Sequence, residues 1–108
     1  YSAVTAACLL INKNKFINFD SKFRIAFNDV DFNLKLLNKK FFNLFTPFSL
    51  LKHYESISVG LPESGNRDLK QFEKEILTMY KKWRKIINND PLYNKNLNNI
   101  NESYNLKI

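Results

Sequence analysis

The chain has 108 residues, 44% of them hydrophobic and 15% aromatic, which is enough apolar material for a packed domain and argues against wholesale disorder. Lys and Arg number 17 against 10 Asp and Glu, but only three of the 17 are Arg, which weakens the case for bidentate recognition of nucleic acid. The single cysteine, Cys8, excludes an internal disulfide, and no apolar run approaches the roughly 20 residues that span a bilayer.

The first predicted element is a strand over residues 3–11. This run, AVTAACLLI, consists of small and apolar residues with one threonine and is short for a helix, so it is typical of a strand buried on both faces. Polar residues 12–15 follow it, and we interpret Phe16-Ile17 as a single helical turn.

A helix is predicted over residues 28–41, because apolar residues recur there at spacings of four, three and four. The periodic residues are Val30, Leu34, Leu37 and Phe41. Either Asn28 or Asp29 can serve as the N-cap, and Asp31 lies in the first turn, where the helix dipole favours a negative charge.

Two short extended pieces are predicted next, over residues 42–45 and 49–54, with Thr46-Pro47 between them because proline is tolerated mainly at strand ends. Residues 56–66 contain both glycines of the chain and a proline, so they are predicted to form a loop.

The clearest predicted element is a long amphipathic helix over about residues 66–89. Acidic residues come early in it and basic residues late, as the helix dipole prefers, and Asp90-Pro91 ends it. Residues 91–108 are rich in Asn and are predicted to be a C-terminal tail. The apolar stripe of the helix consists of Leu69, Phe72, Ile76, Met79, Trp83 and Ile86.

Four segments, taken in order, carry a resemblance to a known family. They are residues 2–11 (SAVTAACLLI), Phe19-Asp20 with residues 27–32 (FNDVDF), Thr46-Pro47-Phe48 with residues 53–58 (HYESIS), and residues 90–97 (DPLYNKNL). Together they resemble the acceptor-side, C-terminal part of the catalytic domain of family 2 glycosyltransferases of the bacterial surface-polysaccharide type. The resemblance implies an α/β fold: part of a GT-A (nucleotide-diphospho-sugar transferase) domain over residues 1–90, with a few strands, the helix starting near residue 28 and the long helix.

The resemblance also implies the chemistry. Such enzymes transfer a sugar from a nucleotide-sugar donor to a glycan acceptor with inversion, and Asp29 corresponds to their general base, although Asn28 replaces the preceding Glu of the family. Local sequence by itself favours a helix cap at Asp29 instead. Asp31 is predicted to be mainly a first-turn helix residue, with acceptor binding as a second role.

The resemblance implies that small residues at the donor side let a sugar approach closely, so Ala6 and Ala7 correspond to donor-binding positions, with ordinary core packing as the alternative. The resemblance further implies that His53 ligates a divalent metal, Mn or Mg, together with an Asp-x-Asp motif outside this chain, or contacts the donor diphosphate. The alternative is a surface or strand-end histidine. Since the nucleotide-binding half and that motif are absent here, we expect these residues alone to be inactive and to bind no metal.

Two hypotheses of different class remain open. The first is a cytoplasmic glycosyltransferase fragment, with possible peripheral contact to the inner face of the membrane, possible self-association and no nucleic-acid partner. The second is a non-catalytic basic α/β module that binds nucleic acid or a protein partner, supported only by the formal charge of +7. Only the first hypothesis needs Asp29 and His53.

Overall fold

The computed structural model describes residues 1–54, 68–99 and 105–107. Within these residues it has two α-helices, α1 (Asn28–Asn38) and α2 (Leu69–Asn88), and two short 3-10 turns, Ala6–Cys8 and Lys13–Lys15. The rest of the described chain is extended or turn backbone, with one isolated antiparallel bridge between Leu97 and Leu106. The predicted loop over residues 56–66 and part of the predicted tail lie outside the described residues.

Helix α1 starts at the predicted position but ends three residues early. Its N-cap is Phe27, in the left-handed conformation with φ 63° and ψ 1°, so neither Asn28 nor Asp29 occupies the cap position. At the other end Lys40 has φ 62°, and the amides of Lys40 and Phe41 bond the carbonyls of Leu37 and Leu36. This arrangement is the Schellman motif, which satisfies the last carbonyls and stops the helix.

Helix α2 is confirmed as the longest element, over Leu69–Asn88. The Asp68 side chain caps it by accepting a hydrogen bond from the amide of Gln71. The predicted apolar stripe is only partly buried, because the inward face is centred on Glu75, Met79 and Trp83, four residues apart. Leu69 and Ile76 of the stripe are exposed.

The core lies where the two helices meet. Its buried members are Phe23, Leu34, Met79 and Trp83, and partly buried side chains of Phe27, Val30, Leu37 and Ile86 pack against them. Phe23 and Phe27 both precede α1, so the loop between them is attached to the core at its two ends.

The predicted α/β class is wrong for this chain: the described residues contain two helices and no strand. Residues 3–11 and 42–45 are largely extended or turned, but they form no ladder with each other. Side chains take the place of a neighbouring strand: the Asn33 amide donates to the carbonyl of Val4, and the Asn43 amide to that of Ser2. An apolar run predicts a buried strand only where another strand can pair with it, and these residues lack one within the described chain.

A group of large apolar side chains stays at the surface. Phe48 and Leu50, for example, are 95% and 93% exposed. We call this group the apolar segment, and its members are Phe42, Leu44, Phe45, Phe48, Leu50 and Leu51. Among the described residues, no helix has the length and hydropathy needed to cross a bilayer.

Candidate functional site

Asp29 lies in the first turn of α1 with a half-buried side chain that bridges two parts of the chain. Its Oδ1 atom accepts a hydrogen bond from the amide of Val30 at 2.8 Å, and its Oδ2 atom accepts one from the amide of Ala6 at 3.1 Å. Each carboxylate oxygen has two lone pairs, so both oxygens keep capacity for a further donor. The carboxylate is therefore oriented and still able to accept a proton.

The structure brings Ala6 next to Asp29, although 23 residues separate them in sequence. Ala6 opens the 3-10 turn Ala6–Cys8, whose N-cap Thr5 accepts a hydrogen bond from the amide of Ala7 at 3.2 Å. Ala6 and Ala7 are both exposed, so they are surface residues of a turn and not the packed core residues of the alternative interpretation. Both are alanines, so this turn carries no side chain beyond Cβ at these two positions.

Two buried asparagines hold the N-terminal segment against α1. The Asn33 side-chain amide donates to the carbonyls of Val4 and Asp29, both at 2.8 Å. The Asn43 side-chain amide donates to the carbonyls of Ser2 at 3.0 Å and Asn33 at 3.2 Å. Because both side chains are buried, these bonds fix the distance between residues 2–6 and the first turns of α1.

Glu75 supports the same region from α2. Its side chain is fully buried, and its Oε1 atom accepts the amides of Arg24 at 2.8 Å and Ile25 at 3.1 Å and the Gln71 side chain at 2.7 Å. Its Oε2 atom accepts the amides of Ile25 at 3.2 Å and Ala26 at 2.8 Å. Burial acts to raise the pKa of the Glu75 carboxyl, but the bonds from Gln71 and the three amides outweigh it and hold the pKa below its ordinary value.

Asp31 is fully buried between the helices. Its Oδ1 atom accepts the Trp83 indole N–H at 2.8 Å and lies 2.7 Å from the Lys82 ammonium, while Oδ2 lies 2.8 Å from the Lys35 ammonium. Burial acts to raise the pKa of Asp31, but the bonds from Lys35, Lys82 and Trp83 lower it below its ordinary value. Asp31 thus ties α1 to α2; the acceptor-binding role assigned to it stays a prediction.

Lys82 joins this network to the loop before α1. Its ammonium also lies 3.0 Å from Oδ2 of Asp20. Desolvation acts to lower the pKa of Lys82, but the bonds to Asp31 and Asp20 raise it above its ordinary value. Lys82 is therefore a structural cation that connects two carboxylates, and it is not part of a freely solvated basic face.

His53, the predicted metal ligand, is exposed and follows the apolar segment. Within residues 1–54, 68–99 and 105–107, no three His, Cys, Asp or Glu side chains come together as a group that could hold a metal ion. The residues of the described chain therefore do not by themselves fit a metal centre, and the metal role of His53 remains a prediction.

Sequence reasoning missed Glu75 and Asn33. A signal for Glu75 was present, since a carboxylate one turn from Met79 falls on the inward face of an otherwise apolar helix stripe. A charged residue at such a position needs partners, because burying an unpaired charge is costly. For Asn33 the spacing of four from Asp29 on one helix face was the available clue.

The site is therefore a carboxylate at the start of a helix, held beside a small-residue turn on a helical scaffold. In comparisons with known proteins, no family model matches the chain and no solved structure matches it. The chain is 37% identical over 102 residues to "Uncharacterized protein y4gI" of Sinorhizobium fredii (strain NBRC 101917 / NGR234). The match covers 90% of this chain, which spans only 11% of the length of that relative.

Proposed function

We propose that this chain is the acceptor-side part of an inverting glycosyltransferase, with Asp29 as the general base. One observation carries the proposal: the Oδ2 atom of Asp29 lies 3.1 Å from the amide of Ala6, so the residue predicted to be the base meets a residue predicted to bind the donor. The two positions were assigned from separate sequence segments, and their proximity supports a common site. The proposal rests on this site and not on the fold.

The reaction needs a base beside the anomeric carbon of the donor. The acceptor hydroxyl attacks that carbon, its proton passes to a carboxylate oxygen of Asp29, and the bond from the carbon to the leaving nucleoside diphosphate breaks. The amides of Val30 and Ala6 hold the carboxylate in one orientation while its remaining lone pairs stay available. An oriented base of this kind acts mainly in the transition state, as the proton is transferred.

The donor sugar would occupy the open surface beside Ala6 and Ala7. Both residues are exposed, and neither has a side chain beyond Cβ that would keep a sugar away from the turn. Ala7 uses its amide to bond Thr5, so the shape of the turn is fixed before any ligand arrives. A preformed surface of this kind lowers the entropic cost of binding.

The nucleotide and the divalent metal require residues beyond these 108. A Mn or Mg ion would offset the negative charge of the leaving diphosphate, and His53 is the residue of this chain proposed to contribute to it. The low coverage of the relative, 11% of its length, is compatible with a larger protein that supplies the remaining ligands. Because nucleotide-activated sugars are cytoplasmic metabolites, we place the proposed reaction in the cytoplasm, with contact to the inner face of the membrane as a possible addition.

The test is the substitution Asp29→Asn in the complete polypeptide, assayed with UDP-, GDP- and dTDP-sugars plus Mn²⁺. Asn is nearly isosteric with Asp and accepts no proton, so turnover should fall by about 10²–10⁴, the usual contribution of a positioned base, while donor binding stays unchanged. Glu73→Gln, which neutralises an exposed carboxylate on α2, is the matched control and should leave turnover unaltered.

Two results would contradict the proposal. One is near-normal turnover of the folded Asp29→Asn variant, which would leave Asp29 as a purely structural residue. The other is the absence of binding to any nucleotide sugar by the complete polypeptide together with tight, salt-sensitive binding of nucleic acid, which would favour a basic binding module instead.

A further inference from the structure

We propose that Glu75 is a positioning residue for Asp29, which it orients through residues 24–27 across the interface between the two helices. The catalytic meaning of this inference rests on the proposed function, because it assumes that Asp29 is the base. The structural part of the inference, that Glu75 orients the carboxylate of Asp29, can be tested without an activity assay.

The first step is the set of hydrogen bonds between Glu75 and the loop before α1. Its two oxygens accept hydrogen bonds from the amides of three consecutive residues, Arg24, Ile25 and Ala26, at 2.8–3.2 Å. A buried carboxylate bonded in this way fixes the orientation of successive peptide planes, because each amide must point at the same group. The side-chain amide of Gln71, one turn earlier on α2, donates a hydrogen bond to Oε1 of Glu75 at 2.7 Å and so orients the carboxylate.

The second step is the backbone of Phe27, directly after the bonded amides. Its φ of 63° places it in the left-handed region, which is unfavourable for a residue with a Cβ atom and persists only where the surroundings impose it. The Phe27 ring stacks on the ring of Phe72, with centroids 5.9 Å apart and an angle of 14° between the planes. Helix α2 therefore holds this turn at two points, through Glu75 before it and Phe72 at its ring.

The third step leads from the turn to Asp29. The Phe27 carbonyl accepts the amide of Asp31 at 2.8 Å, so the left-handed residue supplies the first acceptor of α1 and sets the direction in which the helix starts. Asp29 is two residues further on, and its carboxylate reaches the Ala6 amide from that direction. A different conformation at Phe27 would point the first turn, and hence this carboxylate, elsewhere.

The test uses the 108-residue chain and the NMR resonance of the Ala6 amide proton. Asp29→Asn supplies the reference shift for a changed carboxylate–amide bond. We expect Glu75→Gln to move the Ala6 resonance in the same direction, and we expect the double variant to show no further movement, because both changes act on one contact. Glu73→Gln is the matched control, and the Ala7 amide, bonded to Thr5, should stay in place.

An unmoved Ala6 resonance in folded Glu75→Gln, or additive shifts in the double variant, would overturn the inference. Should Glu75→Gln fail to fold, the variant Gln71→Ala takes its place in the experiment. It removes one hydrogen bond to the Glu75 carboxylate. Hydrogen exchange should then accelerate at Ala26 and Ala6 together and not at Ala7. Acceleration confined to residues 24–26 would again overturn the inference.

A kinetic measurement separates this inference from the proposed function. In the complete polypeptide, Glu75→Gln should lower kcat by about 10- to 100-fold and leave the KM for the donor unchanged, as expected when a base is displaced and binding is not. If Asp29→Asn retains turnover while Glu75→Gln still moves the Ala6 amide, the proposed function is wrong and the positioning of Asp29 stands. If Asp29→Asn abolishes turnover and Glu75→Gln leaves both kcat and the Ala6 amide unchanged, the positioning role is wrong.

Discussion

At the scale of single residues, the structure depends on a few buried polar side chains. Asp31, Asn33, Asn43 and Glu75 are all buried, and each bonds a backbone or side-chain group from a distant part of the sequence. A buried polar group with its partners in place favours one arrangement, because any other leaves it unsatisfied. Asn33 and Asn43 therefore hold the N-terminal segment against α1, while Asp31 and Glu75 connect α1 and the loop before it to α2.

Asn33 provides the clearest residue-scale prediction. Asn33→Ala removes the bonds to the carbonyls of Val4 and Asp29 and leaves buried space, so the free energy of unfolding should fall by about 1–3 kcal/mol. Urea denaturation followed by the fluorescence of Trp83, the single tryptophan, measures it. Asn38→Ala, an exposed change in the last turn of the same helix, is the control. Equal stability of the two variants would show that Asn33 does not hold the N-terminal segment.

At the scale of elements, the interface of α1 and α2 is partly ionic. Asp31 meets Lys82 and Trp83 across it, and Glu75 reaches over to the loop that starts α1. These contacts predict that the register between the helices depends on the ionisation of two buried carboxyls, whereas the apolar contacts of the core do not change with pH.

The pH dependence follows from the sign of the pKa shifts. The pKa values of Asp31 and Glu75 lie below their ordinary values of 3.8 and 4.5, so the unfolded chain binds protons more readily than the folded one. Their contribution to stability is complete above those ordinary values and is lost as the pH falls through the lower folded pKa values. The pKa of Lys82 is raised from 10.5, so its contribution is complete below 10.5 and is lost only as the pH rises through its folded pKa.

We therefore expect the free energy of unfolding to decline as the pH falls below 4.5, the ordinary value for Glu75. Glu75→Gln should be less stable at neutral pH and should show a shallower decline, because one of the carboxyls with a lowered pKa is gone; Asp31 and Asp20 remain. Urea denaturation at a series of pH values from neutral to acidic measures both. A decline of the same steepness in the variant and the parent chain would assign the acid sensitivity to other groups.

At the scale of the whole molecule, the apolar segment stands out from the rest of the surface. Exposed apolar residues scattered singly are ordinary, but six large ones within ten residues are typical of a surface that contacts something else. The small core between the two helices leaves them no place inside. We expect copies of the chain to associate through this segment at high concentration.

Sedimentation velocity over a range of concentrations measures this association. Combined Phe48→Ser and Leu50→Ser substitutions should weaken it by at least about tenfold, since each side chain contributes roughly 1.5–3 kcal/mol when fully buried. Leu77→Ser, on α2 and 71% exposed, is the matched control and should change little. A parent chain that stays monomeric at every concentration would contradict the expectation.

The amino-acid sequence by itself determined the two helices. Periodic apolar residues and a proline after Asp90 were sufficient to predict α2 to within a few residues, because helical hydrogen bonds are local and depend little on the rest of the chain. The start of α1 near residue 28 was likewise predictable, but its cap was not: Asn28 and Asp29, the two predicted candidates, lie inside the helix and Phe27 is the N-cap. The end of α1 was not, since the left-handed conformation of Lys40 has no marker such as glycine.

Only the tertiary structure decided what the extended segments do. A strand exists through pairing with another, and composition cannot show whether a partner is present, so the predicted strands over residues 3–11 and 42–45 were wrong. The meeting of Asp29 with Ala6, and of Glu75 with the amides of Arg24 to Ala26, likewise joins residues 23 to 51 positions apart. Such contacts depend on how the helices pack, and the local sequence around each residue does not show which distant residue it will meet.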